Sequence, residues 1–198
     1  MAGCSVNGGV VVRTGERVES ISVQEYARLL ELQFSSEDMT LAFEEWSCNC
    51  GPAALAAVLK ITLEEARDLI PEFVARRYTS PTMMGRAIDS AGLLFQELGK
   101  SRKVEPWMCP EVFPERGLVR VQWTGPWTAP DANPKWAYRK THWFSVFSKV
   151  TDHVVVFDVN CGPVPWSQWV TTIPKLITDE IERSDGGWYL THLWEVGQ

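Results

Sequence analysis

At 198 residues, with 45% hydrophobic and 22% charged side chains, the chain is sized and composed for one well-buried core. A formal net charge of -6 argues against a protein built mainly to coat nucleic acid, which would carry a basic footprint. Met1 to Asn7 offers neither a basic n-region nor an apolar h-region, and no run approaches the roughly 18 apolar residues of a membrane span. Neither a signal peptide nor a membrane contact is therefore expected. Five cysteines at irregular spacing suggest no disulfide framework, so a reducing, cytoplasmic setting is the expectation.

In chain order, Gly9 to Arg13 is a short β-branched run that suits an edge strand. Ser22 to Leu32 reads as an amphipathic helix, with Ser22 as N-cap and Glu25 completing a capping box. Residues 33–49 read as irregular, anchored by Phe43 and Trp46. Gly51 to Leu59 is rich in alanine and leucine and apolar almost all round, the pattern of a buried central helix. Pro52 fits only a first turn, so that helix must start at or near Cys50.

Thr62 caps a helix over Leu63 to Ile70, and Ser80-Pro81 opens another that runs to Gly92. Beyond residue 93 the character changes. Leu118 to Trp123, Thr141 to Val150, His153 to Val159 and Gly187 to Val196 are rich in valine and aromatics, as strands are. Thr151-Asp152 predicts a tight antiparallel hairpin. The proline- and tryptophan-bearing stretch from Thr124 to Lys140 is a long loop, and a helix over Ser167 to Ile181 precedes the last strand. Helices followed by antiparallel strands predict an α+β fold in a single domain over 1–198, with a helical lobe at about 20–92 and a sheet lobe at about 93–198.

The chemistry-bearing residues are few. A cysteine at a helix N-terminus meets partial positive charge and free N–H groups that favour the thiolate, and Cys50 stands there. Of three histidines, His142 opens a strand directly after the long loop, where it can face a cleft and act as base. Asp158 and Asn160, two residues apart on the next strand, share a face and return beside His142 if the hairpin pairs, so either can orient the imidazole. The tetrapeptide Asn-Cys-Gly-Pro also occurs at 160–163, which makes Cys161 a rival nucleophile, but only His192 lies downstream of it. Cys48 and Cys50 are spaced too closely for a usual zinc pair and no second pair exists, so no metal is expected. His153 and His192 read as ordinary satisfied residues.

Cys50-Gly51-Pro52-Ala53-Ala54-Leu55, Ser80-Pro81-Thr82 leading to Gly85-Arg86-Ala87-Ile88, Thr141-His142-Trp143 and Phe157-Asp158-Val159-Asn160 occur in an order that resembles papain-like cysteine peptidases, the bacteriocin-leader-peptidase branch above all, over roughly residues 40–160. The resemblance implies a two-lobe fold with the cleft between helices and sheet. It implies Cys50 as nucleophile, His142 as base and Asp158 as orienter. It departs at Glu44 and Glu45, where the family carries a glutamine that helps hold the oxyanion. Asn49, Gln33 and the Trp46 indole are the substitute donors on offer, beside the Cys50 backbone N–H.

The expected activity is cleavage of an amide bond in a peptide or protein tail through a Cys50 acyl-enzyme, with no cofactor. Trp46, Trp127, Trp136 and Trp143 are candidates to line the substrate groove, with Lys135, Arg139 and Lys140 beside it. Transfer of the acyl group to an amine, and a non-catalytic binding or structural role within a larger assembly, are the alternatives.

Overall fold

The computed structural model describes residues 21–99, 113–133 and 140–197. The expected strand at Gly9 to Arg13 lies outside them, as do Lys135, Trp136 and Arg139. Among the described residues no helix is long and apolar enough to cross a membrane.

Helix α1 (Val23–Leu29) starts where Ser22 Oγ accepts the Glu25 N–H at 3.2 Å, and it ends earlier than the sequence pattern suggests, with Glu31 at a positive φ of 56°. Residues 33–49 are largely not irregular. Helix α2 (Ser36–Trp46) occupies them, opened by a reciprocal capping box between Ser35 and Asp38. An aspartate in the place where glutamate or glutamine is usual disguises that signal. The helix buries Ala42 and Trp46, and Ser47 ends it in the left-handed conformation. Helix α3 (Cys50–Leu59) begins at the residue Pro52 dictates and buries eight of its ten residues. Thr62 and Glu65 box the start of α4 (Leu63–Asp68), α5 (Phe73–Arg76) is one turn, and Ser80 caps α6 (Pro81–Ser90).

Among the described residues six antiparallel strands follow: β1 (Leu94–Gly99), β2 (Arg116–Trp123), β3 (Thr141–Phe147), β4 (Val155–Asp158), β5 (Gly162–Pro165) and β6 (Trp188–Gly197), in the spatial order β1-β6-β2-β3-β4-β5. Helix α7 (Trp166–Glu180) links β5 to β6. The β3–β4 hairpin forms as expected, but Phe147 pairs with Val155, so a longer connection replaces the tight turn at Thr151-Asp152.

The strands are apolar on both faces because both are covered. Leu118, Trp143, Phe147, Val155 and Phe157 join the core of α3, α4 and α6. Val119, Val121, Trp123, Phe144 and Val156 instead meet Trp166, Trp169 and Ile173 of α7. Ser145 Oγ donates to the Ala54 carbonyl at 2.7 Å and ties β3 directly to α3. The fold is thus a mixed α+β arrangement of helices on an antiparallel sheet.

Candidate active site

The first turn of α3 is held from two sides. Asn49 Nδ2 donates to the Met39 carbonyl at 2.8 Å, anchoring the helix start to α2. Behind Gly51 sits Thr79: a Cβ added at Gly51 would lie 2.1 Å from Thr79 Oγ1, so only glycine fits. The Thr79 carbonyl in turn accepts the Trp143 indole N–H at 2.9 Å, which draws the start of β3 towards the helix. Cys50 is left partly exposed at the helix mouth.

Strand alternation then decides what faces the sulfur. Trp123 N–H donates to the Lys140 carbonyl at 2.9 Å, and Val121 is paired with His142. By the two-residue period the His142 N–H points towards β2 and the Trp143 N–H away from it. The β3–β4 ladder stops at Ser145↔Phe157, so among the described residues Thr141–Phe144 have no strand partner on that side. Cys50 occupies the opening. Its sulfur lies close enough to the His142 ring and the Trp143 backbone N–H for both to favour its thiolate.

His142 Nε2 is committed to Asp158 Oδ2 at 2.8 Å, which leaves Nδ1 for the thiol. Asp158 ends β4, fully buried, and four donors surround it. Oδ2 accepts from His142 and from the Trp169 indole N–H at 2.7 Å. Oδ1 accepts the Asn160 backbone N–H and its side-chain amide, both at 2.9 Å. Asn160 lies beyond the strand in the following turn rather than on its face, and it acts as a brace for Asp158, not as a second orienter.

The electrostatics follow from these contacts. Burial by itself disfavours all three charges. For His142 the Asp158 charge and hydrogen bond, with Cys50 beyond them, outweigh burial and raise its pKa to about 10. For Cys50 the imidazole and the Trp143 N–H outweigh burial and bring the thiol below its ordinary range. For Asp158 the imidazolium, Asn160 and Trp169 hold the carboxyl below its ordinary range against burial. All three shifts run towards the charged forms, a thiolate, an imidazolium and a carboxylate in a row.

The other candidates do not gather here. Gln33 is exposed and donates to the Glu31 carbonyl at 3.0 Å. Asn49 spends its amide on α2, so neither side chain is placed to meet an oxyanion. Trp46 is buried edge-on to Phe73, under the Arg67 guanidinium, and belongs to the helical core. Trp143 is buried as well, so neither lines a groove. Trp127 is half-buried against the α7 core and donates to the Trp123 carbonyl at 2.8 Å. Glu44 is exposed, and Glu45 approaches Arg67 at 3.8 Å. Cys161 donates to the Gly162 carbonyl, and burial beside Asp158 pushes its thiol far up. Cys48 donates to the Arg77 carbonyl, and burial pushes it up to about 12. His153 bonds the Tyr26 hydroxyl at 2.7 Å.

Sequence reasoning missed Thr79, the Trp143 N–H and Trp169. Only the period of β3 hints at the second, and no spacing rule points to the others. Among the described residues no group of three or more His, Cys, Asp or Glu side chains is arranged to hold a metal ion. The arrangement sets a thiol, an imidazole and a carboxylate in the order that nucleophilic acyl chemistry requires. No protein-family model matches the chain, and neither a curated protein nor a solved structure matches it.

Proposed function

We propose that this protein is a papain-like thiol hydrolase that cleaves an amide bond in a peptide or protein, its two lobes being the α1–α6 layer and the sheet. The observation that carries the reading is the relay from the Cys50 sulfur through the His142 ring to Asp158. In the reaction the Cys50 thiolate attacks the acyl carbon, and the carbonyl oxygen takes the negative charge at the positive end of α3, beside the Cys50 N–H. His142 gives its Nδ1 proton to the departing amine, leaving a thioester. His142 then takes a proton from water, the hydroxide adds to the thioester carbon, and the acid leaves as the thiolate is restored. Free thiols at Cys48, Cys50 and Cys161 agree with a reducing compartment, for which the cytoplasm is our proposal.

Iodoacetamide labelling near neutral pH, followed by peptide mapping, tests the reading. Cys50 should label selectively, and His142→Ala should slow it about tenfold or more, because the thiolate is the reactive form. Labelling indifferent to His142 overturns the proposal. One observation favours a second reading, a binding protein on the same scaffold: neither Glu44 nor Asn49 offers a side-chain oxyanion donor. A reactive Cys50 without turnover of any peptide, thioester or amine-acceptor mixture would support that second reading.

A further inference from the structure

We propose that Trp169 is a positioning residue of this site: its indole N–H, delivered from α7, fixes the Asp158 carboxylate against the His142 ring and shares its charge. The inference rests on the thiol-hydrolase reading for its catalytic meaning, but the contact itself does not. The bond to Oδ2 is 2.7 Å, and Trp169 is fully buried. Its ring is stacked on Trp166 at 13° and 5.3 Å, lies 4.3 Å from Phe144 and meets Trp188 edge-on at 83°. An indole held on three sides cannot swing away, so its N–H is a preorganised donor rather than an opportunistic one.

The carboxylate's geometry makes this donor consequential. Oδ2 is divided between Trp169 and His142, whereas Oδ1 is held by both donors of Asn160. Removing the indole N–H leaves the carboxylate in place on Asn160 but concentrates its charge on the oxygen that faces the imidazole. More negative potential there favours the imidazolium and opposes the thiolate beyond it. The titratable groups around Asp158 are His142, Cys50 and Cys161, and burial keeps the Cys161 thiol neutral across the working range.

The test is the pH dependence of Cys50 alkylation in wild type, Trp169→Phe and Ile177→Ala, with the His142 ring titrated by NMR in each. Trp169→Phe keeps an aromatic ring and deletes the donor. Both the acid limb of alkylation and the His142 titration should move upward by on the order of one pH unit. Ile177→Ala, which loses packing against the same core about two turns further along α7, should lower the melting temperature and leave both titrations in place. Should Trp169→Phe fail to fold, a benzothiophene analogue of tryptophan at this position removes the N–H alone and reads the same shifts. Titrations that stay put or move down in the donor-free proteins overturn the inference, as does an equal shift in Ile177→Ala. A wild-type Cys50 without a low-pH thiolate sinks the hydrolase reading instead, while the His142 titration still judges Trp169.

Discussion

The tetrapeptide Asn-Cys-Gly-Pro occurs at 49–52 and again at 160–163, and the two copies share nothing beyond their letters. In the first, the proline sits in the opening turn of α3, the glycine lets Thr79 close in, and Cys50 is a half-buried residue at a helix N-terminus. In the second, Gly162 takes a positive φ of 72° and leads into β5, a four-residue strand of α7's core. There Cys161 is driven towards the neutral thiol by burial and by Asp158. Asp158 acts on both copies. Its charge disfavours either thiolate directly, but at Cys50 the His142 imidazole that Asp158 holds outweighs this and favours the thiolate, whereas at Cys161 burial adds to it. The acidity of a thiol is therefore set by its surroundings, not by its neighbours in sequence.

Substitution at the two sulfurs attacks the comparison most directly. On the proposed thiol-hydrolase reading, Cys50→Ala should abolish turnover, a loss of several orders of magnitude, whereas Cys161→Ala should leave both turnover and iodoacetamide labelling of Cys50 within about twofold. Equal losses in both would erase the distinction. Next in size is Asp158→Asn, which keeps a side chain of the same shape and removes the charge. Without the anion the His142 ring is deprotonated more readily. Its titration should fall from about 10 towards the ordinary imidazole range, and turnover should drop on the order of 10³-fold. NMR titration and initial rates read the two effects.

The paired glycines sharpen the contrast in stability. Gly51→Ala drives a Cβ to 2.1 Å from Thr79 Oγ1 and 2.5 Å from its Cβ, and overpacking of this kind should cost about 2–3 kcal/mol in a denaturant melt. At Gly162 the added Cβ meets only Val23 Cγ1, at 3.2 Å, so Gly162→Ala should cost about 1 kcal/mol for its left-handed backbone. The smallest effect belongs to Cys48. Its thiol is raised to about 12 and its hydrogen bond goes to Arg77, so Cys48→Ser should leave Cys50 labelling within about twofold by peptide mapping.

Much of the scaffold was legible in the sequence because its signals are local. Pro52 and an alanine-leucine run set the start and burial of α3, and Thr62 and Ser80 mark their helices by capping. The valine- and aromatic-rich runs located β2, β3, β4 and β6. Short elements escaped. Strand β5 is a glycine-proline stretch with no strand propensity, and it pairs only because β4 offers it an edge. At the site, the expected hairpin put Asp158 and Asn160 both within reach of His142, and the choice of Asp158 came from the resemblance; the structure brings Asp158 to His142 beyond the end of the β3–β4 ladder. The proposed tryptophan groove was not, because residue type cannot tell a lining tryptophan from a buried one. Trp46 and Trp143 fill the core of the helical layer.

By itself, then, the sequence determined where the helix that carries Cys50 begins and which strands carry the imidazole and the carboxylate. These follow from backbone restrictions and side-chain periods acting over a few residues. Tertiary structure alone decided which of the two cysteines meets the imidazole, that the Trp143 N–H turns to the sulfur, and that α7 lays the Trp169 N–H on Asp158. Those outcomes depend on how α3 and α7 seat on opposite faces of one sheet. Contacts between residues far apart in the chain are set by packing, which no short stretch of sequence encodes.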